Sequence, residues 1–131
     1  MICGEAPRRK RGGKWSQQKV NRYTDAIRKY LELLDARRDE IIHGGAPGVD
    51  TIAGDLAGAM CFKVTPFPAD WKRYGLGAGP IRNRQMIVDG RAELVVAFHE
   101  NLMASKGTAN MIMQASRYLV PVKVNPTLVE V

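Results

Sequence analysis

The chain has 131 residues, 45% hydrophobic and 25% charged, with a formal net charge of +7, which are the proportions of one globular domain with a buried core. No apolar run approaches the ~20 residues that cross a bilayer, and MICGEAPRRKRGGKW has no apolar h-region, so neither a membrane span nor a secretory signal is expected. Cys3 and Cys61 are two isolated thiols without CxxC spacing, which suits a reduced, cytoplasmic setting.

In chain order, Met1–Gly4 is a short apolar start that runs into a basic, flexible loop over 5–15. Residues 1–38 hold eleven Lys/Arg against four Asp/Glu, and 39–131 hold nine of each, so the whole positive excess lies in the first segment. Its cluster of Arg8, Arg9, Lys10, Arg11 and Lys14 suits either a solvated basic surface or contact with the phosphates of nucleic acid or a small ligand. Ser16 is placed to cap a helix. Val20, Tyr23, Ile27, Leu31 and Leu34 follow at 3–4 spacing and predict that helix over about 16–37. Glu40–His43 reads as a short buried strand and Gly44–Pro47 as a turn. Val49, Ile52, Ala53, Leu56, Ala57 and Met60 form one apolar face of a helix that starts near Gly48. CFKVTPFP (61–68) predicts a strand stopped by its prolines, and 69–79 a loop with three glycines. Pro80 suits the first turn of the next helix, and Gly90 its C-cap. AELVVAF (92–98) predicts a strand, His99–Lys106 a loop, and Gly107–Thr108 the opening of a helix that runs to about Tyr118. VPVKVN (120–125) is the last strand.

This alternation predicts an α/β fold of three layers: a mainly parallel sheet of about five strands with helices on both faces. Ligands of such sheets sit beyond the C-terminal strand ends. Glycines at a strand-to-helix turn let a ligand approach peptide N–H groups, and the first N–H groups of the helix favour an anion. HGGAPGVD has this form through Gly44, Gly45 and Gly48. SKGTANM repeats it through Ser105, Lys106, Gly107 and Thr108. With the turns after Gly4 and before Pro80, where Gly79 sits, four glycine-bearing turns on one rim predict a cradle for a phosphorylated ligand. A plain tight turn is the other reading of a glycine pair. GxGxxG after a strand and the Walker loop are both absent.

Single residues carry paired readings. Asp50 suits a ribose hydrogen bond or a helix cap. Asp70 suits acid–base work or ribose binding, or an Asx turn. Trp71 suits base stacking or a lid over the core. His43 suits ligand contact or a satisfied buried position. His99 and Glu100, taken with His43, match no usual zinc spacing, so no metal is expected, and no cofactor. The apolar residues of the first and fourth helices suit a homo-oligomer, a dimer or larger.

HGGAPGVDTIAGDLA, PFPADWKRYGLGAGPIRNRQMI and LVVAFHENLMASKGTANMIMQA together resemble the SLOG superfamily. The chain is most similar to its small YspA-type (cpYpsA-related) branch, over about residues 40–125. MICGE stands where that family carries a full strand with a Gly-rich turn, and a basic insert follows. The resemblance implies a Rossmann-like sheet that binds nucleotides or their derivatives. It implies Arg82 as a phosphate or ribose contact, with Asn83 and Met86 on the same RNRQM motif. Relatives include LOG-type enzymes that cleave the N-glycosidic bond of nucleoside monophosphates, the DNA-binding mediator DprA, and ligand sensors in phage defence. The LOG-type PGGxGTxxE motif is matched only at Gly107 and Thr108; Met111 stands at the Glu position, which argues against hydrolysis by that mechanism. Three readings follow: a nucleotide-binding sensor or regulator; an N-glycosidic hydrolase using Asp70 or Asp50, aided by Arg82; and DNA binding through the basic segment.

Overall fold

Strands and helices alternate along the chain in the computed structural model, which describes residues 1–6 and 14–129. The strands are β1 (Ile2–Gly4), β2 (Glu40–His43), β3 (Lys63–Pro66), β4 (Val95–Phe98) and β5 (Val122–Val124). The helices are α1 (Gln17–Leu31), α2 (Val49–Ala59), α3 (Trp71–Tyr74), α4 (Ala78–Val88) and α5 (Lys106–Arg117). Every strand pairing is parallel. The fold is the expected Rossmann-like α/β arrangement, with one correction. Hydrogen bonding divides the strands into β1-β4-β5 and β2-β3 instead of one five-stranded sheet. β1 touches β2 but is only three residues long. The next residue, Glu5, directs its N–H to the Phe98 carbonyl and its carbonyl to the Val49 N–H. Among the described residues no ladder joins β1 to β2.

Strand alternation sorts the core into two layers. Ile2, Ile41, Val96 and Phe98 pack with Tyr23, Ile27 and Leu31 of α1 and Val49, Ala53 and Ala57 of α2. Cys3, Ile42, Val95 and Ala97 point the other way, onto Met86 and Ile87 of α4 and Met111 and Ala115 of α5. Among the described residues no helix is long and apolar enough to cross a membrane.

Several boundaries move inward, each for a local reason. Ser16 caps α1 by accepting the Lys19 N–H at 3.1 Å. The helix ends at Leu31, not near 37, because Asp35 and Asp39 build a competing turn. The Asp39 carboxylate accepts the Asp35 N–H, and the Asp35 carboxylate accepts the Arg37 N–H, each at 2.9 Å. α2 ends in a Schellman motif with Cys61 at φ +68°: Cys61 N–H bonds Gly58 O and Phe62 N–H bonds Ala57 O. That turn delays β3 to Lys63. Leu119, at φ +57°, ends α5 in the same way and delays β5 to Val122. The 69–79 segment is not all loop: Asp70 accepts the Arg73 N–H and starts the four-residue α3. The C-cap of α4 is Asp89, and the left-handed residue is Arg91, not Gly90. Gly90 is needed for space, since a Cβ there would lie 2.4 Å from Met86 O.

Gly48 and Gly58 sit at opposite ends of α2 and make opposite predictions. Gly48 has φ +93°, and a Cβ would lie 2.5 Å from Glu5 O. Gly58 faces open space. Gly48→Ala should cost about 3 kcal/mol or more in urea unfolding. Gly58→Ala should stabilise by about 0.5–1 kcal/mol.

Candidate functional site

Parallel pairing brings the C-terminal ends of the strands to one rim. A cleft of about 560 Å³ opens there at the ends of β1 and β4. Its lining includes Lys14, Lys19, Arg82 and Lys106 against the carboxylates Glu5 and Asp50. The cleft crosses both core layers: Trp15 packs with the α1/α2 side and Met111 with the α4/α5 side.

Arg82 reaches the cleft from α4 and is anchored before any ligand arrives. Its Nη1 donates to the Gly44 carbonyl at 2.5 Å and its Nε to Asn83 Oδ1 at 3.1 Å. A Cβ on Gly44 would lie 2.4 Å from that Nη1. Gly44 is therefore small to admit the guanidinium. Asn83 is buried, and its Nδ2 donates to Gly107 O at 3.2 Å and Asn110 Oδ1 at 3.1 Å. It ties α4 to the start of α5 and fixes the Arg82 side chain.

Asp50, in the first turn of α2, is the buried carboxylate of the cleft. It accepts the Ala46 N–H at 3.2 Å. Burial pushes its pKa up to about 6, against the opposing pull of the Ala46 hydrogen bond, the Arg82 charge and the Gly44 backbone. Met111, which also lines the cleft, is buried and apolar. The Cys3 thiol also lines the cleft, and burial raises its pKa to about 12, so it stays protonated.

The N-terminus of α5 forms one wall. Ser105 caps it by accepting the Thr108 N–H at 3.1 Å, and Thr108 is buried. Helix geometry gives the first-turn N–H groups at Lys106 and Gly107 no intrahelical acceptor. They and the exposed Lys106 side chain favour an anion at this wall.

The opposite wall was not singled out from the sequence. Tyr23, fully buried, donates its hydroxyl to Glu5 and accepts the Glu100 N–H at 2.9 Å. Glu5 also binds Lys19, and Lys19 lies 3.6 Å from Glu100, which pairs with Arg22. Burial pushes the Glu5 pKa upward, but the bonds from Lys19 and Tyr23 outweigh it and leave the pKa lowered. Trp15 stacks on Tyr23 with ring centroids 5.1 Å apart. His99 accepts the Asn101 N–H through Nδ1, and burial lowers its pKa. Glu5 and Tyr23 lie 18 residues apart, one just past β1 and the other in α1, so periodicity within one helix or strand does not link them.

The structure brings together Asp50, Arg82, Asn83, Ser105, Lys106, Gly107 and Thr108 around the cleft. Gly44 is joined to it through Arg82. Gly48 backs it, because its missing Cβ admits Glu5 and Trp15. Others lie apart from it. His43 turns its Nε2 towards Gly54 of α2, where a Cβ would lie 2.6 Å away, and its Nδ1 accepts the Gly45 N–H at 3.0 Å. Asp70 caps α3, and Trp71 packs by Gly79, neither lining the cleft. Arg8, Arg9, Lys10 and Arg11 lie outside the described residues; Lys14 is exposed and lines the cleft.

Asp50 makes a signed prediction. Its folded pKa of about 6 exceeds the ordinary carboxylate value, so the native state binds the extra proton between about pH 4 and 6. Stability therefore falls as pH rises through that window, and the cost persists above it. Asp50→Asn should stabilise at pH 7.5 by on the order of 1–3 kcal/mol. The gain should vanish towards pH 4, as followed by denaturant unfolding across pH.

The YspA, cpYpsA-related SLOG family (YAcAr) matches residues 12–74, reaching into the N-terminal third and stopping before Arg82. The chain is 39% identical over 87 residues to the Gene 61 protein of Mycobacterium phage D29, covering 63% of this chain and 67% of that protein. No solved structure matches the chain. On the family match and the phage relative together, the chain belongs to the YspA, cpYpsA-related SLOG family.

Proposed function

We propose that the cleft binds a nucleotide or nucleotide-derived phosphorylated ligand and that the protein is a cytoplasmic sensor or regulator. The observation that supports this reading is the convergence of Arg82, Lys106 and the first N–H groups of α5 on one cleft. Its size of about 560 Å³ falls among small-molecule sites. Family membership is compatible with nucleotide-related binding. In this reading the phosphate sits at Lys106–Gly107, and Arg82, already fixed by Gly44 and Asn83, supplies a directed charge at little entropic cost.

Asp50 favours a second reading, cleavage of an N-glycosidic bond. A buried carboxyl that titrates near pH 6 is suited to proton transfer near neutrality. Incubation with AMP would release free adenine, and Asp50→Asn would abolish it; release that survives this change removes Asp50 from the chemistry.

Calorimetry with AMP, ADP-ribose and adenosine tests the binding reading. AMP or ADP-ribose should bind at least about tenfold more tightly than adenosine, and Lys106→Ala should weaken that binding about three- to tenfold. Equal affinity for adenosine, or no binding by any of the three, would contradict it.

A further inference from the structure

Trp15 brings a large aromatic ring to the lining of the cleft, beside charged, amide, small and methionine side chains and the His99 imidazole. It is partly buried and held from several sides. Its ring stacks on Tyr23 at an interplanar angle of 24°. Lys19 Nζ lies 5.0 Å from its centroid. Its Cη2 edge fits the space that Gly48 leaves, 2.9 Å from where a Cβ would stand. Tyr23, in turn, is locked by Glu5 and the Glu100 N–H. The ring is thus immobilised in advance, as a stacking surface should be.

Its placement is complementary to the anion wall. Trp15 packs with the α1/α2 layer, whereas Lys106, Gly107 and Thr108 open α5 on the other layer. A ligand with its phosphate at α5 would extend across the rim towards Trp15. Resting on the nucleotide reading above, we infer that Trp15 is the base-recognition residue of the cleft, a stacking platform that selects ligands carrying an aromatic base over the bare sugar phosphate. Every base offers a π-face, so selection by such a platform is for aromaticity rather than base identity.

Titration with AMP and with ribose 5-phosphate separates the parts of this scheme. AMP should quench the indole fluorescence of the unmodified protein, and the quench should be lost in Trp15→Phe, which keeps a ring and most of the affinity. Trp15→Leu should weaken AMP binding about tenfold, as loss of one base stack does. Ribose 5-phosphate should bind without quenching and keep its affinity, within about twofold, in both variants. Undiminished AMP binding by Trp15→Leu overturns the assignment. So does an equal loss for both ligands in Trp15→Phe, which would make the ring structural. If ribose 5-phosphate binds and AMP does so no better, the anion wall stands and the base platform falls. If neither binds the unmodified protein, the nucleotide reading falls with it.

Discussion

The end of β1 is the constraint on which the rim depends. A strand of three residues, paired with β4 alone, has to join both helix layers, and it does so through one residue past its end. Glu5 gives its N–H to β4, its carbonyl to the first residue of α2, and its carboxylate to Lys19 and Tyr23 of α1. These connections are close-range, and they explain Gly4 and Gly48. A Cβ at Gly4 would lie 2.1 Å from Phe98 O, and one at Gly48 would meet Glu5 O. The backbone crossing at this point leaves no volume for a methyl group.

The same economy of space fixes the electrostatics of the cleft. Gly44 carries no side chain because the Arg82 guanidinium lies over it. An arginine held by a main-chain carbonyl and by Asn83 keeps its charge in place without a carboxylate that would neutralise it. Asp50 is nearby and feels that charge, but burial outweighs it and makes the carboxyl reluctant to ionise. The result is a rim on which positive charge is committed to position and negative charge is partly suppressed. Lys19 differs, being paired with Glu5 and close to Glu100. The two walls are therefore chemically distinct: open donors at α5, and a self-compensated polar cluster under an aromatic ring at α1.

Much of the fold was legible because it rests on period and punctuation. Apolar spacing located α1 and α2, the Gly107–Thr108 turn marked α5, Ser16 marked a helix start, and the alternation of strands and helices pointed to the parallel arrangement. The two-part hydrogen bonding was not legible, because spacing along the chain does not say whether two touching strands form a ladder. Strand starts were displaced where Cys61 and Leu119 took left-handed turns that sequence rules assign to glycine. In the candidate site, the Ser105–Thr108 turn was visible as a motif with a physical purpose, and Arg82 through the family resemblance alone. The glycines of HGGAPGVD were visible too, but their local task differs from close approach of a ligand: they admit Arg82, Glu5 and Trp15. Glu5, Trp15, Lys19 and Tyr23 were missed, since only the folded chain brings the β1 end beside the start of α1.

The central claim is that the amide hydrogens opening α5 and the guanidinium of Arg82 form a receptor for negative charge on the rim. Amide and side-chain chemical-shift mapping with AMP on the isotopically labelled protein tests it most directly. The account predicts the largest changes at the Lys106 and Gly107 amides and at Arg82 Nε, saturating together with a single affinity. Perturbations centred on the outer faces of α4 and α5, or none at these three groups at saturating ligand, would contradict it.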